Sequence, residues 1–226
     1  VHLGERECSL QRRYQKVIEE APSPALDRRL RARMGDAAVR AAQAIGYTNV
    51  GTIEFLLDPR GTFYFIEMNT RIQVEHGLTE LLTGLDVVKI GILSAAGSPL
   101  GLRQRDIQWH GHAIECRINA EEPFSARPSP GTVRTLQLPG GPGIRIDSSL
   151  HAGSVVPPDY DSLIVKILAH GSDREEAIAR MDRALRELEI DGVHTNVALH
   201  QEILADPEFR AGALHTRFLD RFLERN

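Results

Sequence analysis

The sequence predicts an α+β fold, with antiparallel strands and separate helices, and three observations carry that prediction. A run at helical spacing follows Asp27, two β-rich runs are joined by a turn near residue 60, and short strands with Pro- and Gly-rich turns lead into a capped helix in the second half. At roughly 150 residues per domain, 226 residues hold one large domain or two small ones. Hydrophobic residues make up 42% and charged residues 26%, which supports a core and argues against disorder.

Taken in order, residues 1–27 read as polar and turn-rich, with a basic cluster at Gln11-Arg12-Arg13-Tyr14-Gln15-Lys16. Asp27 is a helix cap. Leu30, Met34, Ala37, Ala38, Ala41 and Ile45 then form one apolar stripe, and Gly46 stops the helix. Strands are expected over 51–57 and 62–69, joined by the four-residue loop Asp58-Pro59-Arg60-Gly61. One helix is expected over about 77–96, ending at Gly97, and residues 99–107 read as a connector. The division of the chain is placed there: 1–105 and 106–226.

In the second half, strands are expected near 111–120, 132–137, 144–149 and 162–169. Ser172-Asp173-Arg174-Glu175 reads as a capping box before a helix with Ile178, Met181, Leu185 and Leu188 on one face. Helices near 196–205 and 214–224 complete the chain. Gly140-Gly141-Pro142-Gly143 lacks the Gly-Lys-Ser/Thr ending of a phosphate loop and reads as a tight turn. His110 and His112 have no third metal ligand nearby and read as a strand end.

The 51–69 hairpin concentrates chemistry. A four-residue loop pairs Leu57 with Thr62, Glu54 with Phe65 and Thr52 with Glu67. Alternation then places Ile53, Phe55, Leu57, Tyr64, Ile66 and Met68 on a core face, and Glu54, Glu67 and Asn69 on the other. The two glutamates become diagonal neighbours within reach of one cation. Carboxylate and amide oxygens suit Mg²⁺ or Mn²⁺; a solvated polar face with no metal is the other reading. The alternation continues through Arg71, Gln73 and Glu75. Arg71 can clamp a small planar anion, and Glu75 beside it is a candidate general base.

At these residues the sequence resembles a known family. Glu67-Met68-Asn69-Thr70-Arg71-Ile72-Gln73-Val74-Glu75-His76 is similar to the signature of biotin carboxylase, an ATP-grasp enzyme. Gln11-Arg12-Arg13 with Lys16, Glu115-Cys116-Arg117-Ile118-Asn119-Ala120-Glu121 and Pro128-Ser129-Pro130-Gly131 extend the likeness collinearly. The resemblance implies the later part of an ATP-grasp domain over 1–105 and the biotin carboxylase C-terminal domain over 106–226. It implies Glu54 and Glu67, with Asn69 beside them, as Mg²⁺ or Mn²⁺ ligands on the phosphates of ATP. It implies Arg71, Gln73 and the Val74 backbone as the bicarbonate site, and Lys16 beside bicarbonate and the transferred phosphate. Glu75 is implied as the base, Arg117 as the partner of the biotin enolate, and Gln11 as a nucleotide contact. Tyr14 stands where the family usually has histidine at a nucleotide contact, and Gly77 where proline is common.

The same resemblance implies a biotin carboxyl carrier domain or protein and a carboxyltransferase component as partners, and a homodimer in the complete enzyme. The setting would be an acyl-CoA carboxylase, such as acetyl-CoA carboxylase of fatty acid biosynthesis, or a pyruvate carboxylase. Val1-His2-Leu3-Gly4 opens without methionine, and the family's Gly-rich phosphate lid lies upstream of the matched segment. The chain is therefore expected to be a fragment lacking the N-terminal half. Two alternatives stay open: a non-catalytic folding or dimerising module, and another ATP-grasp ligase such as carbamoyl phosphate synthase. A net charge of −4 argues against nucleic acid, and no run of about 18 apolar residues is present for a membrane span. Cys8 and Cys116, far apart, suit a reducing cytoplasm.

Overall fold

A computed structural model describes residues 1–225. Its strands are β1 (Glu7–Arg12), β2 (Gln15–Ala21), β3 (Thr52–Leu57), β4 (Phe63–Asn69), β5 (His112–Asn119), β6 (Gly131–Thr132), β7 (Thr135–Gln137), β8 (Ile144–Ser148), β9 (Val155–Val156), β10 (Leu163–Gly171) and β11 (Glu189–Asp191). Its helices are α1 (Arg28–Ala44), α2 (His76–Thr83), α3 (Val87–Ala95), α4 (Arg174–Glu187), α5 (Val197–Ala205), α6 (Pro207–Arg210) and α7 (Phe218–Arg225). The chain forms two compact units. One comprises residues 1–6 and 21–110, the other residues 7–20 and the chain from Gly111 onward. Among the described residues, no helix is long and apolar enough to cross a membrane.

In the first unit, Asp27 caps α1 by accepting from the Leu30 amide at 2.6 Å. Gly46, at φ +62°, closes the helix: its amide donates to Gln43 and the Tyr47 amide to Ala42. The expected apolar stripe is only half covered. No α1 residue is fully buried, and Ile45 beyond its end is 66% exposed. The single helix expected over 77–96 is two helices. Gly84 ends α2 at φ +69°, and Asp86 caps α3 by accepting from Lys89 at 2.7 Å. A glycine stop and an aspartate start two residues apart interrupt the apolar periodicity.

The second unit is built on a five-stranded sheet in the order β1-β2-β5-β10-β8. Alternation in β5 and β10 aims Ile114, Cys116, Ile118, Val165, Ile167 and Ala169 into one core. The register matches this, with Ile167 opposite Cys116 and Val165 opposite Ile118. Helix α4 covers that core with Ala177, Ile178, Met181, Ala184 and Leu185, all at most 1% exposed. Each of the larger aliphatic side chains contributes roughly 1.5–3 kcal/mol by leaving water. The cap of α4 lies one residue later than expected: Asp173 accepts from the Glu176 amide at 2.9 Å, while Glu176 reaches back to the Ser172 amide. Within the segment expected to be turn-rich, residues 7–21 are a strand pair, with Leu10, Val17 and Ile18 buried. Its tip, Arg13-Tyr14, holds φ +48° and +65°, a conformation usually announced by Asn-Gly.

Candidate active site

The β3–β4 hairpin sets the acidic pair, and its register differs from the expected one. Leu57 pairs with Phe63, Leu56 with Tyr64 and Phe55 with Phe65. The loop is one residue longer because Asp58 accepts from the Arg60 and Thr62 amides at 2.9 and 2.8 Å. A register shift between Phe55 and Glu54 then inserts Ile66 as a bulge. The slip reverses the faces at the turn end: Phe55 meets Phe63 edge-on at 5.2 Å, while Tyr64 and Ile66, expected in the core, are more than half exposed. The bulge then restores the faces. Glu54 lies directly opposite Glu67, Thr52 opposite Asn69, and Ile53 with Met68 on the reverse side.

A polar network ties this face together. The Asn69 amide donates to Glu54 Oε1 at 3.2 Å and to Glu67 Oε1 at 3.0 Å. The Gln73 amide donates to Glu54 Oε1 at 2.8 Å. Arg6 donates to Gln73 Oε1 at 2.6 Å and also binds Thr52 and Thr79. Arg6 thereby orients the Gln73 amide, with its oxygen toward the guanidinium and its nitrogen toward Glu54. Two carboxylates converge on one amide donor, where a cation would neutralise them more fully. The carboxylate oxygens of Glu54 and Glu67 are of the kind Mg²⁺ or Mn²⁺ takes, and the Asn69 amide, whose nitrogen faces them here, would join them as a ligand through its oxygen only after turning over.

The extended alternation expected through Glu75 stops at Asn69. Residues 74–75 form a turn, the His76 amide donates to the Gln73 carbonyl, and α2 begins at His76. Glu75, 2% exposed, and Gln73, 5% exposed, are buried. Arg71 is exposed, with its guanidinium on the Ile72 carbonyl at 3.2 Å. Val74 lies at the surface. Hydrogen bonds thus join Glu54, Glu67, Asn69 and Gln73, while Arg71 turns to its neighbour's carbonyl and Glu75 is buried at the turn that opens α2.

Gln11, Tyr14, Lys16 and Arg117 belong to the second unit. Gln11 pairs with Lys16 across the strand pair and donates to the Cys8 carbonyl at 2.8 Å. Tyr14 at the tip is 98% exposed. Lys16, Arg12, Glu121, Tyr160 and Asp161 line a cavity of about 240 Å³. Burial raises the Glu121 carboxyl above its usual range there, against the opposing pull of Arg12. Arg117 extends from β5 onto the buried carboxylate of Glu19. The Arg117 carbonyl accepts from Asn196 at 3.0 Å and from His200 at 2.8 Å, and Asn196 also accepts from the Asn119 amide.

Sequence reasoning does not single out Arg6, Glu19, Asn196 or His200. The one signal for Glu19 is a pair of acids, Glu19-Glu20, beside the apolar Val17-Ile18. The two adjacent glutamates face opposite ways, and Glu20 binds His112 at 2.6 Å and Arg174 at 2.7 Å. His112 is the first residue of β5, in agreement with a strand end, and its ring is committed to Glu20.

Burial pulls His200 from the ordinary 6.5 down to about 4. Its Nδ1 has no hydrogen-bond partner among the described residues, so a second proton would be left unsatisfied. The group is neutral when folded and titrates near 6.5 when unfolded. Its stabilising contribution is complete above pH 6.5 and is lost as pH falls toward 4, up to about 3 kcal/mol. Denaturant midpoints of the chain should fall across that window, and His200→Gln should flatten the decline above pH 4.5. An unchanged slope in the variant would contradict this origin.

Two family models match the chain. Carbamoyl-phosphate synthase L chain, ATP binding domain, covers residues 1–103, and Biotin carboxylase C-terminal domain covers residues 115–221. Biotin carboxylase of Allochromatium vinosum is 53% identical over 223 residues, 99% of this chain and 49% of the relative. Biotin carboxylase of a Nostoc species is 56% identical over 220 residues, 97% of this chain and 49% of its own length. The chain spans about half the length of these curated relatives. Among solved structures, the dimeric biotin carboxylase domain of Hydrogenobacter thermophilus 2-oxoglutarate carboxylase, in complex with MgADP, ADP and bicarbonate, superposes with a TM-score of 0.96 at 48% identity. That match covers 98% of this chain and 49% of the other.

Proposed function

Because the chain belongs to the biotin carboxylase family, we propose that it serves the ATP- and bicarbonate-dependent carboxylation of biotin. The observation that carries the proposal is the opposed pair Glu54 and Glu67, bridged by Asn69, with Glu67 and Asn69 inside the ten-residue run ending at His76. A pair of carboxylates is how a metal ion on nucleotide phosphates is usually held.

Glu54, Glu67 and Asn69 would hold Mg²⁺ or Mn²⁺. When bound, such ions neutralise charge on nucleotide phosphates. Arg71, Gln73 and the Val74 backbone bind bicarbonate, with Arg6 fixing which end of the Gln73 amide is presented. Glu75 takes the bicarbonate proton and makes a better nucleophile of it. Attack of the bicarbonate oxygen on the γ-phosphate of ATP breaks the bond to the β-phosphate, giving carboxyphosphate and releasing ADP, and Lys16 balances charge on the transferred group. Carboxyphosphate breaks down to CO₂ and phosphate, and phosphate deprotonates the biotin ureido nitrogen. Arg117 holds the resulting enolate, which captures CO₂. Gln11 and Tyr14 are nucleotide contacts; a phenol in place of an imidazole changes what is offered to the nucleotide there.

The dimer of the Hydrogenobacter thermophilus domain supports a homodimer, and the pyruvate carboxylase subunits among the matches support a place in a biotin-dependent carboxylase. The carrier, the carboxyltransferase and the compartment are part of the proposal on the family resemblance alone. Biotin is presented on a carrier domain, a carboxyltransferase component uses the product, the complete enzyme is a homodimer, and it works in the reducing cytoplasm. Of the ATP-grasp alternatives, carbamoyl phosphate synthase is less well supported, because the C-terminal match and Arg117 in its Glu-Cys-Arg-Ile-Asn setting point to biotin.

The test is transfer of label from bicarbonate to free biotin, with MgATP, by a protein of the relatives' full length carrying this chain. Labelled carboxybiotin is expected; none, under conditions where ATP is cleaved, would contradict the assignment. The 226-residue chain alone is expected to be inactive, as a non-catalytic module. Glu54→Gln in the full-length protein should raise the Mg²⁺ concentration for half-maximal rate by about tenfold or more, because it removes a charged ligand. An unchanged Mg²⁺ titration would remove Glu54 from the ligand set.

A further inference from the structure

We infer that Glu19 is the positioning residue for Arg117, setting the guanidinium in place before biotin arrives. Glu19 extends from β2 and its side chain is 0% exposed, while that of Arg117 is 15% exposed. Arg117 Nε donates to Glu19 Oε1 at 2.7 Å, and Nη2 engages the same oxygen. One guanidinium edge is therefore turned toward the protein interior. The backbone is fixed as well: Asn196 and His200, both fully buried or nearly so, donate to the Arg117 carbonyl, and Asn196 accepts from the Asn119 amide two residues on. Side chain and main chain of Arg117 are held by three different parts of the fold: β2, α5 and the residue preceding α5.

A buried carboxylate–guanidinium pair is weak evidence for stability, since well-packed apolar groups of equal volume are often at least as stabilising. What the pair supplies is direction. A free arginine samples many rotamers, whereas a paired planar fork is pre-organised for its next hydrogen bonds. The inference rests on the proposed role of Arg117 toward the biotin enolate. Glu19 touches no reacting atom in this scheme and acts only through Arg117.

The experiment uses the full-length protein and two rates: bicarbonate-dependent ATP cleavage without biotin, and carboxylation of free biotin. Glu19→Gln keeps the size of the side chain and removes its charge. Biotin carboxylation should fall about 10- to 100-fold, while ATP cleavage without biotin stays within about twofold. In an Arg117→Ala background, Glu19→Gln should add little further loss, because the two act as one unit. Glu19→Asp, which keeps the charge but shortens the reach, should show the same selective loss in milder form and serves if the glutamine variant does not fold. Normal biotin carboxylation in a folded Glu19 variant, or equal loss of both rates, would overturn the inference. If Arg117→Ala itself carboxylates biotin normally, the failure lies instead in the role assigned to Arg117.

Discussion

Glu75→Gln in the full-length protein is expected to cut bicarbonate-dependent ATP cleavage by about 10²- to 10⁴-fold, the usual cost of losing a general base. The reason is specific to the substrate. Bicarbonate is a weak nucleophile that improves when its proton is taken, and an amide of the same size cannot take it. Glu75 sits at the turn that opens α2 and is 2% exposed, so its carboxylate position is set by the fold rather than by solvent. The substitution keeps the shape, removes the charge and the basicity, and turns one acceptor oxygen into an N–H donor. A melting temperature close to that of the parent protein separates chemistry from unfolding. Near-normal turnover in a folded variant would take Glu75 out of the base role.

Arg117→Ala should have the opposite selectivity. Biotin carboxylation should fall by about 10²- to 10³-fold, the range seen when a donor to a developing oxyanion is removed. ATP cleavage without biotin should change far less, because in the proposed scheme the enolate forms only after carboxyphosphate has broken down. Losing Arg117 also leaves the Glu19 carboxylate buried without its cation, which costs several kcal/mol in such settings. The variant should therefore melt earlier than the parent, and the ratio of the two rates, not either alone, is the informative quantity. Equal loss of both would assign Arg117 to bicarbonate or to structure.

The chemistry-bearing face of the hairpin is legible in the sequence, and the turn end less so. Parity along a strand depends on every inserted residue. Asp58 lengthens the loop by one, and the bulge at Ile66 adds one more. Two shifts of one residue cancel in parity, so Glu54, Glu67 and Asn69 still share a face, while Tyr64 and Ile66 do not enter the core. Residues 7–21 look like turns in sequence because Arg13-Tyr14 carries no hairpin signature and the apolar residues around it are few. The helix pair α2–α3 is separable in principle, since Gly84 and Asp86 are stop and start signals lying inside one apolar run. Glu19, Asn196 and His200 are beyond the reach of sequence patterns. Their meaning comes from contacts 77 to 98 residues away in sequence, and no local period encodes those.

The most direct measurement is phosphate release from MgATP by the full-length protein, with and without bicarbonate and free biotin. Release is expected to depend on bicarbonate and to be accelerated by biotin, with labelled carbon appearing on biotin in step with the extra phosphate. Release indifferent to biotin, with no label transferred, would contradict a biotin carboxylase mechanism and return the chain to another class of ATP-grasp ligase.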